Sequence, residues 1–175
     1  MALLADNLYI IVQYSKDEFV GKPSYSQTIL SFLRIYHFVK NINLLCIDCC
    51  ANNKILNILN EEKFKNENNS ILEEKMDNSL KFGQTNSDIL ISSLMKILCK
   101  INKRANEDAQ NQIILFTETD FSNFSYFARC KMTSCFQTAI ELKNAKIDIV
   151  LFPNRNNVLE VPRYVKEVFK NKKGN

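Results

Sequence analysis

Short runs of apolar residues alternate along this chain with longer segments in which apolar residues recur every three or four positions. The clearest run, residues 113–116, contains no polar residue, which is typical of a strand covered on both faces. Polar residues 117–120 follow it directly, and helical patterns lie on either side, at 86–104 and 124–142. This order predicts a buried strand between two helices.

The same reasoning predicts a strand at residues 8–14 and a hairpin in which 54–59 returns antiparallel to 44–50 at the sheet edge. Further strands are predicted at 146–152 and 158–161, and further helices at 26–40, 71–80 (or loop) and 162–169, with a mobile loop at 61–69. Helices between strands predict an α/β fold, a three-layer Rossmann-like domain with a mostly parallel six-stranded sheet and one antiparallel edge strand. One domain is expected over residues 1–170, followed by a basic tail at 171–175.

Three helical segments carry apolar stripes that are predicted to face the sheet. The predicted core positions are Ile29, Phe32, Leu33, Tyr36 and Val39 or Lys40 in the first helix; Leu90, Leu94, Ile97, Leu98 and Ile101 in the helix at 86–104; and Phe127, Cys130, Met132, Cys135, Phe136, Ala139, Ile140 and Leu142 in the helix at 124–142.

Composition narrows the class of protein. The chain has 175 residues, 46% of them hydrophobic, and a net charge of +4, which fits one globular domain and falls short of a nucleic-acid-binding signature. No apolar run is long enough to span a membrane, and the amino end does not resemble a secretory signal. Six cysteines without an evident disulfide framework indicate a reducing, intracellular compartment.

No catalytic set can be assembled from the sequence. There is no Gly-rich phosphate loop, and His37 is the only histidine, so a Ser-His-Asp or Cys-His arrangement has no clear base. The protein is therefore not expected to be an enzyme. The cysteine groups lack the spacing of structural zinc sites and are expected in the core: Cys46, Cys49 and Cys50 in a strand, Cys130 and Cys135 in a helix.

Polar residues are predicted to converge where the central parallel strands end, which is where sites occur in such sheets. Gln13, Ser15 and Asp17 lie at or after the end of the first strand, Thr85 precedes the helix at 86–104, and Glu118 follows the strand at 113–116. This arrangement resembles the von Willebrand factor A domain, whose divalent cation sits on an Asp-x-Ser-x-Ser loop, a Thr and an Asp. In that comparison Gln13 stands at the first Asp position, Ser15 and Asp17 at the two Ser positions, Thr85 at the Thr and Glu118 at the last Asp. The resemblance implies a degenerate, vestigial metal site of Ser15, Asp17, Thr85 and Glu118, with weak magnesium binding at most and no resident cofactor.

The helix at 89–104 has a Leu98-Cys99-x-Ile101 pattern and a basic end, and an Ile147-Asp148-Ile149 strand lies further along the chain. Through these motifs, of which the helix is the most specific, residues 8–152 resemble the A domain of the subunit 3 family of the general transcription factor TFIIH. The resemblance implies a nuclear, non-enzymatic scaffold in transcription initiation and nucleotide excision repair. Its expected partners are the zinc-containing carboxyl-terminal region of TFIIH subunit 2 and other TFIIH core subunits, without sequence-specific nucleic-acid binding and without a membrane. The family's four-cysteine zinc module has no counterpart in these residues.

Three other readings remain open. One is another intracellular A domain, of the proteasome ubiquitin-receptor type. The second is a cation-dependent ligand-binding domain that works through Ser15, Asp17, Thr85 and Glu118, which strong magnesium binding would favour. The third is a small α/β enzyme, which the missing nucleophile–base pair disfavours.

Overall fold

The computed structural model describes residues 6–13, 25–51, 53–63, 69–79, 87–104, 109–117, 121–142 and 145–151, which contain five strands and four α-helices. The strands are β1 (Asp6–Gln13), β2 (Ile42–Ala51), β3 (Lys54–Glu62), β4 (Gln110–Thr117) and β5 (Ala145–Leu151). The helices are α1 (Tyr25–Lys40), α2 (Asn69–Ser79), α3 (Ser87–Lys103) and α4 (Tyr126–Glu141), and a short 3-10 turn (Phe121–Asn123) precedes α4. No described helix is long and apolar enough to cross a membrane.

The strands form one sheet in the order β3-β2-β1-β4-β5. β1 lies at the centre and pairs in parallel with both β2 and β4, and β4 pairs in parallel with β5. β3 is the antiparallel edge strand and pairs with β2. The predicted mostly parallel sheet, the central first strand and the edge hairpin are therefore confirmed.

Side chains alternate across β1 into two separate cores. Leu8, Ile10 and Val12 lie in the cluster beneath α1 and α2, whereas Tyr9 and Ile11 lie in the cluster beneath α3 and α4. This alternation follows from the two-residue period of a strand. It places α1 and α2 on one face of the sheet and α3 and α4 on the other, which is the predicted three-layer arrangement.

Several predicted elements differ from the structure. The sheet has five described strands rather than six, because the predicted strand at 158–161 and the closing helix at 162–169 lie outside the described residues. The loop expected at 61–69 begins later, since β3 continues through Glu62 and α2 starts at Asn69. The helix predicted at 124–142 starts at Tyr126, because the Ser125 side chain accepts a hydrogen bond from the Ala128 amide at 3.2 Å and caps it.

The predicted core stripes were right for α3 and partly wrong for α1 and α4. Leu90, Leu94, Ile97, Leu98 and Ile101 are all buried. In α1, however, Val39 is exposed and Leu30 is buried in addition to the predicted positions, and in α4 Phe127 and Cys130 face solvent. Both helices carry apolar residues around most of their circumference, so the periodicity leaves open which side packs on the sheet.

Replacing Leu94 tests the α3 stripe. Leu94 is fully buried, and Leu94→Asp would place an unpaired charge between α3 and the sheet. We expect a loss of roughly 4–5 kcal/mol in the free energy of unfolding, measured by chemical denaturation. The control is Met95→Asp, at a neighbouring position that is half exposed, with an expected loss below about 1 kcal/mol. Equal losses in the two variants would contradict the assignment of the buried face.

Candidate functional site

The carboxyl ends of β1 and β4 meet at the predicted site. Gln13 is paired with Thr117 in the register of these two strands, and both side chains are buried. The Thr117 hydroxyl donates a hydrogen bond to Oε1 of Gln13. A neutral amide that accepts from a neighbouring hydroxyl thus stands where an A-domain cation site has its first carboxylate. This pairing satisfies a buried acceptor without any ion.

The four predicted metal ligands, Ser15, Asp17, Thr85 and Glu118, lie outside the described residues, so the degenerate cation site stays a prediction. Within the described ranges, no group of three or more His, Cys, Asp and Glu side chains is placed to hold a metal ion.

A row of polar side chains on α3 forms a second polar feature, on the face that α3 turns toward the β2–β3 hairpin. We call it the α3 polar seam; it consists of Ser93, Lys96, Lys100 and Arg104 on or next to α3, with Asp48, Asn57, Asn60 and Glu61 on the hairpin. Residues three and four apart share one side of a helix, so this row runs along α3 beside its apolar stripe.

Asp48 is the centre of the seam. Its carboxylate is 0% exposed, accepts from Asn57 Nδ2 at 2.7 Å and from the Ser93 hydroxyl at 3.3 Å, and pairs with Lys96 Nζ at 3.2 Å. A buried carboxylate is tolerated only when it is paired and hydrogen-bonded in this way. The contacts connect β2, β3 and α3, so this group holds the edge hairpin against the helix.

A bulge in β3 supplies the other half of the seam. The register with β2 shifts near Glu61, which has a φ of 54°. Arg104 Nη2 lies 3.0 Å from Glu61 Oε2, the Tyr9 hydroxyl donates to Glu61 Oε1 at 3.3 Å, and Lys100 donates to Asn60 at 2.8 Å. Burial, assisted by the Glu61 charge, raises the pKa of Tyr9, so this phenol stays neutral and donates.

The α3 polar seam was not predicted from the sequence. Its signal was present, because Ser93, Lys96, Lys100 and Arg104 recur at helical spacing and Asp48 interrupts an otherwise apolar strand. The sequence does not show that Asp48 pairs with this row of α3, because residues 48 and 96 are brought together only by the crossover from the hairpin to α3.

The single histidine and the buried cysteines have structural surroundings. His37 Nδ1 accepts from the Ile42 amide at 3.1 Å and closes the turn from α1 to β2, where Asn41 has a φ of 55°. Four of the six cysteines are buried, namely Cys46, Cys49, Cys50 and Cys135. Burial raises the pKa of Cys50 to about 12 and that of Cys135 to about 11. These thiols are therefore poor nucleophiles near neutral pH. Cys130, predicted in the core, is exposed, as is Cys99.

Two exposed apolar surfaces lie on opposite faces of the sheet. The α1 patch consists of Ile35, Phe38 and Val39, which are 67%, 91% and 55% exposed. The α3–α4 groove has a volume of about 540 Å³, and its lining includes Met95 and Cys99.

The fold matches solved structures across most of the chain. The crystal structure of the TFIIH p34 N-terminal domain is similar to it with a TM-score of 0.67 and 16% sequence identity, over 98% of this chain and 89% of that one. Manganese-loaded Plasmodium vivax TRAP protein gives 0.58 at 13% identity, over 88% of this chain and 59% of that one. The fold is von Willebrand A-like.

This similarity confirms the predicted fold. Sequence identities of 16% and 13% support a shared fold and no shared function. A von Willebrand factor type A protein from Catenulispora acidiphila also matches, with a TM-score of 0.46 and 12% identity over 83% of this chain and 33% of that one. The sequence itself matches no family model and, at a significant level, no curated protein.

Removing Asp48 tests the α3 polar seam. Asp48→Ala leaves the Ser93 hydroxyl and the Lys96 ammonium without their shared acceptor, so we expect a loss of about 2–3 kcal/mol in the free energy of unfolding by urea titration. The control is Asp148→Ala: Asp148 pairs with Lys146 at 3.0 Å and accepts from Gln112 at 2.5 Å, but its side chain is 45% exposed, so its loss should stay below about 1 kcal/mol. A negligible effect of Asp48→Ala would show that the seam contributes little to stability.

Thiol reactivity tests the burial of the cysteines. At pH 8 we expect Ellman's reagent to modify Cys99 and Cys130 quickly and the four buried thiols only after denaturation, because burial excludes the reagent and keeps those groups protonated. Variants Cys99→Ser and Cys130→Ser should each remove one fast equivalent. More than two fast equivalents in the native protein would contradict this arrangement.

Proposed function

We propose that this chain is a scaffold domain of the TFIIH core complex, acting in the nucleus in transcription initiation and nucleotide excision repair. In this role it is non-enzymatic and binds the zinc-containing carboxyl-terminal region of TFIIH subunit 2. The observation that carries the proposal is the similarity to the TFIIH p34 N-terminal domain over 98% of this chain. The sequence resemblance of the 89–104 helix to the same family points the same way.

In the described residues, polar groups that could serve a binding or catalytic site are engaged within the protein, which also supports a scaffold. Gln13 and Thr117 bond to each other at the strand ends, where a cation-dependent domain would direct carboxylates at its ion. His37 is engaged by the Ile42 amide in a turn, and the buried thiols are held protonated. These groups contribute to packing, which leaves the outer helical faces as the surfaces on which a partner docks.

A cation-dependent ligand-binding domain is the second candidate. The structural similarity to TRAP protein, which was solved loaded with manganese, favours it over the remaining alternatives. The neutral Gln13 amide argues against it, because oxygen sites for divalent cations rely on carboxylates.

Co-purification distinguishes the two candidates. This chain is co-expressed with the zinc-containing carboxyl-terminal region of TFIIH subunit 2 from the same organism and analysed by size-exclusion chromatography. Magnesium is removed from and restored to this chain alone before mixing, because chelation would also strip zinc from the partner. Co-elution that does not depend on magnesium supports the scaffold. No co-elution, together with tight magnesium binding by the isolated chain, supports the cation-dependent domain.

Replacing Asp17 tests the same point within the chain. Asp17→Ala removes one of the two carboxylates, Asp17 and Glu118, in the predicted metal set. We expect the dissociation constant for the subunit 2 region to change less than about twofold, which corresponds to roughly 0.4 kcal/mol. Isothermal titration calorimetry measures it, and circular dichroism checks that the fold is kept. A loss of binding in a folded Asp17→Ala variant would mean that the strand-end site is in use.

A further inference from the structure

Two polar pairs lie at opposite ends of the contact between β1 and β4. Asn7 is paired with Asn111 at the amino end, and Gln13 is paired with Thr117 at the carboxyl end. All four residues are buried, with at most 8% of each exposed. Asn7 Nδ2 donates to Asn111 Oδ1 at 3.2 Å, and the Thr117 hydroxyl donates to Oε1 of Gln13. Each buried amide therefore has a hydrogen-bond partner on the neighbouring strand.

The amino-end pair continues into a chain of hydrogen bonds across three strands. Asn43 of β2 donates from Nδ2 to Asn7 Oδ1 at 3.1 Å, and Asn111 Nδ2 donates to the Ala109 carbonyl at 3.3 Å. Asn43 lies where the register between β1 and β2 shifts. The nitrogen and the oxygen of the Asn7 and Asn111 side chains are thus all engaged, so an apolar residue opposite either amide would leave buried polar atoms without a partner.

One face of β1 and one face of β4 carry the same pattern of side chains. Because side chains alternate along a strand, positions 7, 9, 11 and 13 of β1 share a face, as do positions 111, 113, 115 and 117 of β4. Each set has a polar residue at both ends and two buried hydrophobic residues between them, namely Tyr9 and Ile11 in β1 and Ile113 and Leu115 in β4. These four hydrophobic residues belong to the core beneath α3 and α4.

Hydrophobic burial alone does not fix the register of the two strands. A shift of one residue would turn the apolar side chains to the wrong faces, whereas a shift of two residues keeps every side chain on its face. Apolar contact is non-directional, so it distinguishes poorly between registers two residues apart. The polar pairs do distinguish them. A two-residue shift would place Asn7 against Ile113 in one direction and Gln13 against Leu115 in the other, and each shift leaves buried amides without their partners.

We propose that the Asn7–Asn111 and Gln13–Thr117 pairs, here called the register pairs, are a conformational device that selects one register of β1 against β4 among those that apolar packing accepts. The selected register also decides which residues meet at the carboxyl ends of these strands, where the predicted site lies. This property belongs to the chain alone and does not depend on the partner that it binds.

The test replaces each register pair by apolar side chains. The variants are Asn7→Leu with Asn111→Leu, Gln13→Leu with Thr117→Val, and the quadruple combination. Replacing both partners of a buried hydrogen bond by apolar groups can be nearly neutral for stability, so we expect cooperative urea unfolding in both double variants, with midpoints close to that of the original chain.

Nuclear magnetic resonance reports the register directly. The original chain should give one set of backbone amide peaks, with cross-strand NOEs between Tyr9 and Ile113. In the quadruple variant we expect a second set with at least about one tenth of the total intensity, because a competing register becomes populated. Its cross-strand NOEs should join partners shifted by two residues, such as Tyr9 and Leu115.

The matched control is Ile11→Leu with Leu115→Ile, a buried pair between the two register pairs. It alters the packing and keeps the polar residues, so it should give one set of peaks. A second set in this control would overturn the proposal, because any repacking would then release the register. One set with the original NOEs in the quadruple variant would show that apolar packing fixes the register. Unfolding of either double variant would mean that its polar pair holds the fold together and does not select a register.

Discussion

The burial of β1 on both faces is the constraint on which the rest of the structure depends. A central strand with apolar side chains on both sides is stable only when helices cover the two faces, and parallel neighbours require crossovers long enough to supply those helices. The arrangement of α1 and α2 on one face and α3 and α4 on the other follows from it. The parallel pairing also brings the ends of β1 and β4 together, which places Gln13 against Thr117.

α3 makes two kinds of contact because it lies over both the centre and the edge of the sheet. Its apolar stripe packs on β1 and β2, and its polar seam binds the β2–β3 hairpin through Asp48 and Glu61. Apolar contact is non-directional and tolerates small shifts, whereas the carboxylate contacts have defined partners and distances. We infer that the seam sets the position of the hairpin, because β3 pairs with one neighbour, β2, among the described strands.

The von Willebrand A-like fold is shared by proteins with different tasks, so the function has to be argued from surfaces and sites. At the ends of β1 and β4, the neutral side chains of Gln13 and Thr117 are hydrogen-bonded to each other. On the outer layers, Lys131 lies 4.0 Å from Asp88 and 4.4 Å from the centre of the Phe127 ring, beside the α3–α4 groove.

The sequence by itself determined the order of strands and helices, the central position of β1, the antiparallel edge hairpin and the buried stripe of α3. These follow from local periodicity and from the short turn between β2 and β3. Only the tertiary structure decided which sides of α1 and α4 face solvent, since apolar residues surround both helices, and so Phe38, Phe127 and Cys130 became surface residues. It also decided the partners of Asp48, because a contact between residues distant in sequence depends on how the crossover places α3, and no local pattern encodes that placement.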